Sequence, residues 1–278
     1  MTHNNTNVQL ITPSWHVPAH VHACMTTRIA GVSENTSAGA YGQTNGAHGL
    51  NLATHVGDGH AHVMTNREVL KAAAHLPHEP LWLNQTHSTM VHLQTNNEYQ
   101  HDAPPPEADA VVLTQRGQVG VVMTADCLPV LFASEDGRVV GAAHAGWRGL
   151  VDGVLEETVR VMREQGAQQI QTWLGTAIGA ARFEVGADVL TEFLLKTPAA
   201  AGDVRVHFKP HPDHSDKYLA DIYGLARDRL RAVGINDISG GGRCTVTEAD
   251  RFYSYRRDKI TGRMATLIWM DASHCAES

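Results

Sequence analysis

Between residues 110 and 143 the chain runs through four short segments rich in Val, Leu, Met and Ala: 110–114, 119–124, 128–133 and 138–143. Each has the length of a strand, their apolar stretches do not alternate with polar residues, and the first three are expected to be adjacent, largely buried strands. Strands of that kind are satisfied by burial on both faces, so the chain must lay cover on each side of a sheet. Gln115-Arg-Gly-Gln118 and Glu135-Asp-Gly137 carry turn residues. They predict a hairpin between the first two segments and a second one after the third.

The remaining pattern mixes helices with these strands. A helix is expected over 58–75, with Asp58 as its cap, Val63, Val69, Leu70 and Ala73 on one face, and Pro77 ending it. Another is expected over 150–165, where Val151, Val154, Leu155, Thr158 and Met162 make an apolar stripe and Gly166 stops it. Further helices are expected over 186–195 and 218–233, and further strands over 81–83, 90–93, 170–174 and 264–270. Segments 33–48 and 96–106, rich in Gly, Ser, Asn or Pro, read as loops. Neither has the length or charge of a linker, and no internal repeat occurs, so residues 1–278 are expected to form a single domain. Hairpins mixed with crossover helices make the expected class α+β, with layered sheets flanked by helices.

Composition narrows the function. The chain is 42% hydrophobic and 18% charged, which excludes a disordered chain. Lys plus Arg number 22 against 29 Asp plus Glu, and that acidic balance argues against a nucleic-acid partner. No apolar run reaches the roughly 18 residues of a membrane span. The opening MTHNNTNVQLI lacks the cationic start and apolar stretch of a signal peptide. Cys24, Cys127, Cys244 and Cys275 form no C-x-x-C pair. These features predict a cytoplasmic protein with free thiols, a monomer or small homo-oligomer that touches no membrane. Its 18 histidines raise the prospect of transition-metal binding.

Chemistry concentrates where strands run into loops. Three such junctions stand out: Asn84-Gln-Thr-His87-Ser, Thr124-Ala-Asp-Cys127-Leu-Pro, and His144-Ala-Gly-Trp-Arg-Gly149. They offer two imidazoles and a thiol, a donor set suited to Zn²⁺ with an open fourth position. Their separation in sequence follows no local ligand rule. A structural Cys beside two hydrogen-bonded histidines is the alternative on these residues alone.

The wording of the motifs adds a second line. Gln85-x-His87, Ala125-Asp-Cys127-Leu-Pro-Val and His144-Ala-Gly-Trp-Arg-Gly-Leu150 resemble the YfiH/YlmD family, also called the laccase-domain or FAMIN-like family. The resemblance continues through Thr26-Thr-Arg28, Gly31-Val-Ser33, Asn51-Leu, His55-Val-Gly-Asp58, Phe183-Glu-Val-Gly186, Phe252-x-Ser-Tyr-Arg-Arg-Asp258 and Thr261-Gly-Arg-Met-Ala265, in the family's order. Departures are Ala30 and Ser88 where Gly is common, Thr176 where Pro or Cys is common, and extra residues over 39–49. The resemblance implies a cysteine-hydrolase-like fold and His87, Cys127 and His144 as both Zn²⁺ ligands and catalytic residues. It implies zinc-dependent purine nucleoside phosphorolysis: adenosine, inosine, guanosine or methylthioadenosine plus phosphate gives base plus ribose 1-phosphate. Adenosine deamination accompanies it in some members.

Within that frame Arg148, ahead of the helix expected from Leu150, is a candidate anion contact, and Arg28 and Asn51 are candidates for the same cleft. Arg256-Arg257 can line the cleft or pair with acids. A different enzyme class is a Cys127/His144 amide hydrolase, which would suit the peptidoglycan precursor editing in which family members are implicated. A third reading is a metal-dependent interaction module without turnover. Copper-dependent polyphenol oxidation (laccase activity) is a lesser alternative. His20-Val-His22 and His60-Ala-His62 are two H-x-H pairs where multicopper oxidases carry four, and Cys275 has a His on one side only. His211-Pro-Asp-His214 reads as a solvated loop, Gly240–Gly242 as a turn, and Cys24 and Cys244 as core thiols.

Overall fold

The structure is a computed structural model and describes residues 7–95 and 104–272. The chain opens with β1 (Leu10–Ile11), β2 (Val21–Thr26) and β3 (Ile29–Ser33), then the small hairpin β4 (Asn35–Thr36) and β5 (Gly39–Ala40). Helix α1 (His60–Ala73) precedes β6 (Val91–Gln94), β7 (Ala110–Leu113), β8 (Val119–Thr124), β9 (Leu128–Ser134) and β10 (Val140–Ala145). Helices α2 (Trp147–Asp152) and α3 (Val154–Glu164) lead to β11 (Ile170–Leu174), β12 (Glu184–Gly186) and α4 (Ala187–Lys196). Strands β13 (Phe208–Pro210) and β14 (Lys217–Ala220), helix α5 (Ile222–Ala232), β15 (Ile238–Gly240), α6 (Tyr255–Asp258) and β16 (Met264–Met270) follow.

Two sheets form the centre. One has the order β1-β2-β16-β8, antiparallel throughout. The other is mixed, with order β15-β11-β9-β10-β7-β6. The period of two along each strand explains why both faces are apolar. Val130, Phe132, Val112 and Ala143 pack with Leu155, Val159 and Met162 of α3 and with Leu225, Ala226 and Leu230 of α5. Their neighbours Leu131, Ala133, Val111 and Ala142 face Met25, Val122, Met264 and Ile268 of the other sheet. On that sheet's outer side Val119, Val121, Leu267 and Trp269 meet Leu70 of α1 together with Leu50, Leu52 and Trp82. The layers therefore run helix, sheet, sheet, helix, a mixed α/β arrangement with the expected layered sheets.

Pairing departs from the sequence expectation at one decisive place. Strands β7 and β8 do not form a hairpin, and β8 and β9 are not neighbours: β8 belongs to the four-stranded sheet, β7 and β9 to the six-stranded one. The chain crosses between layers over 114–118 and again over 125–127. Apolar runs satisfy either sheet equally, so their pattern does not say which strand lies beside which. The hairpin at Glu135-Asp-Gly137 is present, joining β9 to β10.

Other differences are local. Helix α1 starts at His60 with Gly59 as its cap. Asp58 instead accepts from Ser33 Oγ at 2.6 Å and Asn51 Nδ2 at 2.8 Å. The helix expected over 150–165 is two helices, because Gly153 takes a left-handed φ of 104°. The helix expected from 218 starts at Ile222, where Asp221 caps it by accepting from Tyr223 N–H. The residues before it pair as β14 with β12 and β13. Residues 81–83 form no strand: Leu81 makes an isolated bridge to Gly120, and Asn84 makes another to Glu107, while β2 and β3 arise in a stretch not assigned from its pattern. Cys275, His274 and most of the 96–106 loop lie outside the described residues. Among the described residues no helix is long and apolar enough to cross a membrane.

A candidate metal centre and its cavity

Asp109 precedes β7 and is fully buried. Its carboxylate accepts from the backbone N–H groups of Thr86 at 3.2 Å, His87 at 3.0 Å and Ser88 at 2.6 Å, and from Ser88 Oγ at 2.7 Å. The 86–88 loop is thus wrapped around one anion, which holds His87 at a left-handed φ of 62° that a non-glycine residue adopts rarely. Gln85 fixes the other end of the loop. Its amide accepts from Met123 N–H at 2.7 Å and donates to Met123 O at 2.9 Å.

The same carboxylate orients the second histidine. His144, on β10, is 4% exposed, and its Nδ1 lies 2.8 Å from Asp109 Oδ1. An ionised carboxylate can only accept, so Nδ1 carries the proton and Nε2 is left to face the cavity. Burial alone would raise the Asp109 carboxyl, but hydrogen bonds from His144 and Ser88 outweigh it and hold the group at about 2.

Cys127 sits where the chain crosses from β8 to β9, beside Asp126 with a left-handed φ of 103°. Its Sγ is 3.8 Å from His87 Nε2. The rings of His87 and His144 meet edge to face at 4.8 Å. Burial would raise the Cys127 thiol, yet the two imidazoles overcome it and draw it below its ordinary value. His144 moves up in response, against its own burial, because of Cys127 and Asp109. Cys24 shows the contrast: buried without such partners, its thiol is pushed up to about 12.

One donor atom from each of His87, Cys127 and His144 lies within 4.8 Å of the others. Tetrahedral zinc separates its ligand atoms by roughly 3.5 Å, so small side-chain shifts would close this set around such an ion. A thiolate and two neutral imidazoles, one backed by a carboxylate, are chemically what a borderline divalent ion selects. The residues fit a metal. Gly146 makes room for them, since a Cβ there would stand 2.7 Å from His87 Cδ2 and 3.1 Å from Cys127 Sγ.

The three donors open into a cavity of about 460 Å³. Trp147, Phe183, Tyr255, Ile178 and Ile222 give it apolar and aromatic wall, and Arg148, Arg256 and Arg263 give it positive charge. Arg148 lies in the first turn of α2 with its guanidinium 4.4 Å from the Trp147 ring. Arg256 is anchored through its backbone N–H to Asp126 Oδ2 at 2.6 Å and through Nη1 to Glu184 O at 2.9 Å. Arg257 instead pairs with Asp258.

Arg28 and Asn51, expected in the same cleft, are placed elsewhere. Arg28 is 2% exposed, donates to the carbonyls of Gly42 and Ala249, and stacks 4.7 Å from the Tyr253 ring. Asn51 is fully buried and ties Asp58 to Arg263, whose N–H it accepts at 3.0 Å. Both tie loop segments together through these bonds, and Arg28 lines a separate cavity with Ser37 and Lys259. Asp109, Arg263, Phe183 and Tyr255 received no role from the sequence. Asp109 did carry a signal: an acid set between alanines at the start of a fully apolar strand must find partners inside.

The H-x-H pairs do not gather. His20 Nε2 meets Gly137 O, His22 pairs with Asp271, and His60 and His62 are exposed at the start of α1.

Comparison with known proteins identifies the family. The family model described as multi-copper polyphenol oxidoreductase laccase matches residues 22–271. A Shigella flexneri protein named purine nucleoside phosphorylase YfiH is 47% identical, over 94% of this chain and 99% of its own. A Haemophilus influenzae protein named purine nucleoside phosphorylase is 44% identical, over 95% and 100%. A Neisseria meningitidis crystal structure superposes with a TM-score of 0.80 at 42% identity, covering 95% of this chain and 99% of that one. The chain belongs to the multi-copper polyphenol oxidoreductase laccase family, the YfiH/YlmD family that its ordered motifs resemble.

Proposed function

We propose that this protein is a zinc-dependent purine nucleoside phosphorylase, with His87, Cys127 and His144 as the metal ligands and Arg148 as a phosphate contact. The observation that carries the proposal is the convergence of those three donors on one wall of a cavity whose other walls are aromatic and cationic. The names of the Shigella and Haemophilus relatives support it.

In this reading the purine lies against the aromatic wall, and its size matches a cavity of about 460 Å³. Arg148 and its cationic neighbours hold phosphate, one oxygen of which bonds to C1′ as the C1′–N9 bond breaks. The base leaves with the bonding pair and takes up a proton. A bound divalent ion supplies Lewis-acid stabilisation of negative charge developing on substrate. Asp109 keeps the proton of His144 on Nδ1, and the cavity's apolar side excludes water that would compete with phosphate.

The test is product analysis by mass spectrometry with adenosine, inosine, guanosine and methylthioadenosine, with and without phosphate, beside Cys127→Ser. Free base and the matching pentose 1-phosphate formed only with phosphate, and only by the wild type, support the proposal. Absence of base from every nucleoside overturns it. Inosine formed from adenosine without phosphate would assign deamination to the same site.

One arrangement favours a second reading. Asp109, His144 and Cys127 follow one another as orienting acid, base and thiol, as a Cys127/His144 amide hydrolase acting on peptidoglycan precursors would need. A chelator separates the two, because it abolishes metal-dependent phosphorolysis and spares a thiol nucleophile.

A further inference from the structure

A second group of metal-capable side chains lies outside the cavity. Glu184 opens β12, and His211 and His214 lie in the connection between β13 and β14. That connection is closed by His211 N–H donating to Lys217 O at 2.9 Å and Lys217 N–H donating to His214 O at 3.1 Å. The hairpin delivers both imidazoles to Glu184. His211 Nε2 is 3.4 Å from Glu184 Oε2, the two rings are 4.8 Å apart, and one donor atom from each residue lies within 4.8 Å of the others. Glu184 and His211 are half-buried and His214 is exposed, so the group is reachable from solution.

We propose that Glu184, His211 and His214 bind a second divalent transition ion of the zinc type, distinct from the ion at Cys127. Two imidazoles and one carboxylate select Zn²⁺, Ni²⁺ or Cu²⁺ over Mg²⁺ or Ca²⁺, which take oxygen ligands. The ion would pin the 211–217 turn to β12. That strand begins next to Phe183, which lines the cavity, and its Glu184 carbonyl anchors Arg256. The site therefore braces the cavity wall rather than taking part in chemistry.

Binding requires a proton to move. Asp213 N–H donates to His211 Nδ1 at 3.1 Å, so without metal the ring proton sits on Nε2, towards Glu184. A metal on Nε2 displaces that proton, Nδ1 becomes the protonated nitrogen, and the Asp213 contact is given up. Losing one hydrogen bond, and lacking a thiolate, makes this site weaker than the one at Cys127 by about tenfold or more.

The experiment is a Zn²⁺ titration of the full, metal-stripped chain, read by calorimetry and by metal content after gel filtration. Wild type is expected to take two equivalents, the second more weakly. His214→Gln and Glu184→Gln each lose the weaker equivalent and keep the tighter one, while Cys127→Ser loses the tighter one and keeps the weaker. Co²⁺ gives an independent readout: a thiolate-to-metal charge-transfer band that saturates at the first equivalent and is unchanged in His214→Gln. Saturation of the wild type at one equivalent overturns the proposal. So does a second equivalent that persists in both His214→Gln and Glu184→Gln, which would place it on other histidines. Because His214 is exposed, its substitution leaves the fold intact.

Discussion

Asp109 Oδ1 and His144 Nδ1 lie 2.8 Å apart, and Asp109 also accepts the N–H of His87 at 3.0 Å. One buried carboxylate therefore sets the tautomer of one metal-capable histidine and the backbone of the other. Neither imidazole is placed by its own strand or loop alone.

Asp109→Asn tests that dependence. The amide presents donors to groups that are themselves donors, so the 86–88 loop loses its centre. Zinc affinity, measured by competition with a chelator of known strength, is expected to fall roughly 10–100-fold. Unfolding stability should fall by about 2–4 kcal/mol. Unchanged zinc affinity would show that the histidines hold their places without Asp109.

Acid should expose the same carboxylate. Its ordinary value of 3.8 is lowered to about 2 in the folded protein, against the effect of burial, by His144 and Ser88. The stabilisation is present above about pH 4 and is lost as pH falls through 2. For metal-free protein this contributes about 2 kcal/mol to the drop in unfolding free energy across that window. In Asp109→Asn the drop should be smaller by that amount in denaturant titrations at stepped pH. Equal slopes for the two proteins would refute the assignment.

Gly146→Ala separates the metal centre from the fold. Gly146 has φ −62° and ψ 157°, which any residue tolerates, so only space forbids a side chain. The added methyl meets the His87 ring and Cys127 Sγ. Zinc content after dialysis is expected to drop at least about tenfold, with the melting temperature shifted by only a few degrees. A fully loaded Gly146→Ala protein would mean that the three residues do not close on an ion at this point.

Arg148 is exposed and stacks on Trp147. If it binds phosphate, Arg148→Ala should raise the KM for phosphate roughly 10–100-fold, the worth of a charge-assisted hydrogen bond. The KM for nucleoside should move far less. Initial-rate kinetics with each substrate varied in turn decide it, and parallel shifts in both constants would place Arg148 in general cavity shape instead.

The sequence determined what its local patterns can carry. Unbroken apolar runs specified strands covered on both faces, the 154–162 part of the apolar stripe specified the helix α3 that covers one of them, though not its separation from α2 at Gly153, and Glu135-Asp-Gly137 specified the β9–β10 turn. His87, Cys127 and His144 were legible through ordered motifs and their family resemblance. Their spacing of 40 and 17 residues follows no local rule, because their meeting is not local.

The tertiary structure decided the rest. A run such as 119–124 is equally satisfied in either sheet, so only the competition of all the faces for cover sends β8 to β16 and returns the chain to β9. That crossing leaves Cys127 at the seam between layers, where His87 and His144 arrive from other elements. Arg28 and Asn51 show the converse. Their residue types suit substrate, but buried backbone carbonyls and Asp58 claim their hydrogen bonds. Asp109 completes the contrast: a charge can stay at zero exposure only where five donors from distant parts of the chain converge on it, and that convergence exists only once the layers are assembled.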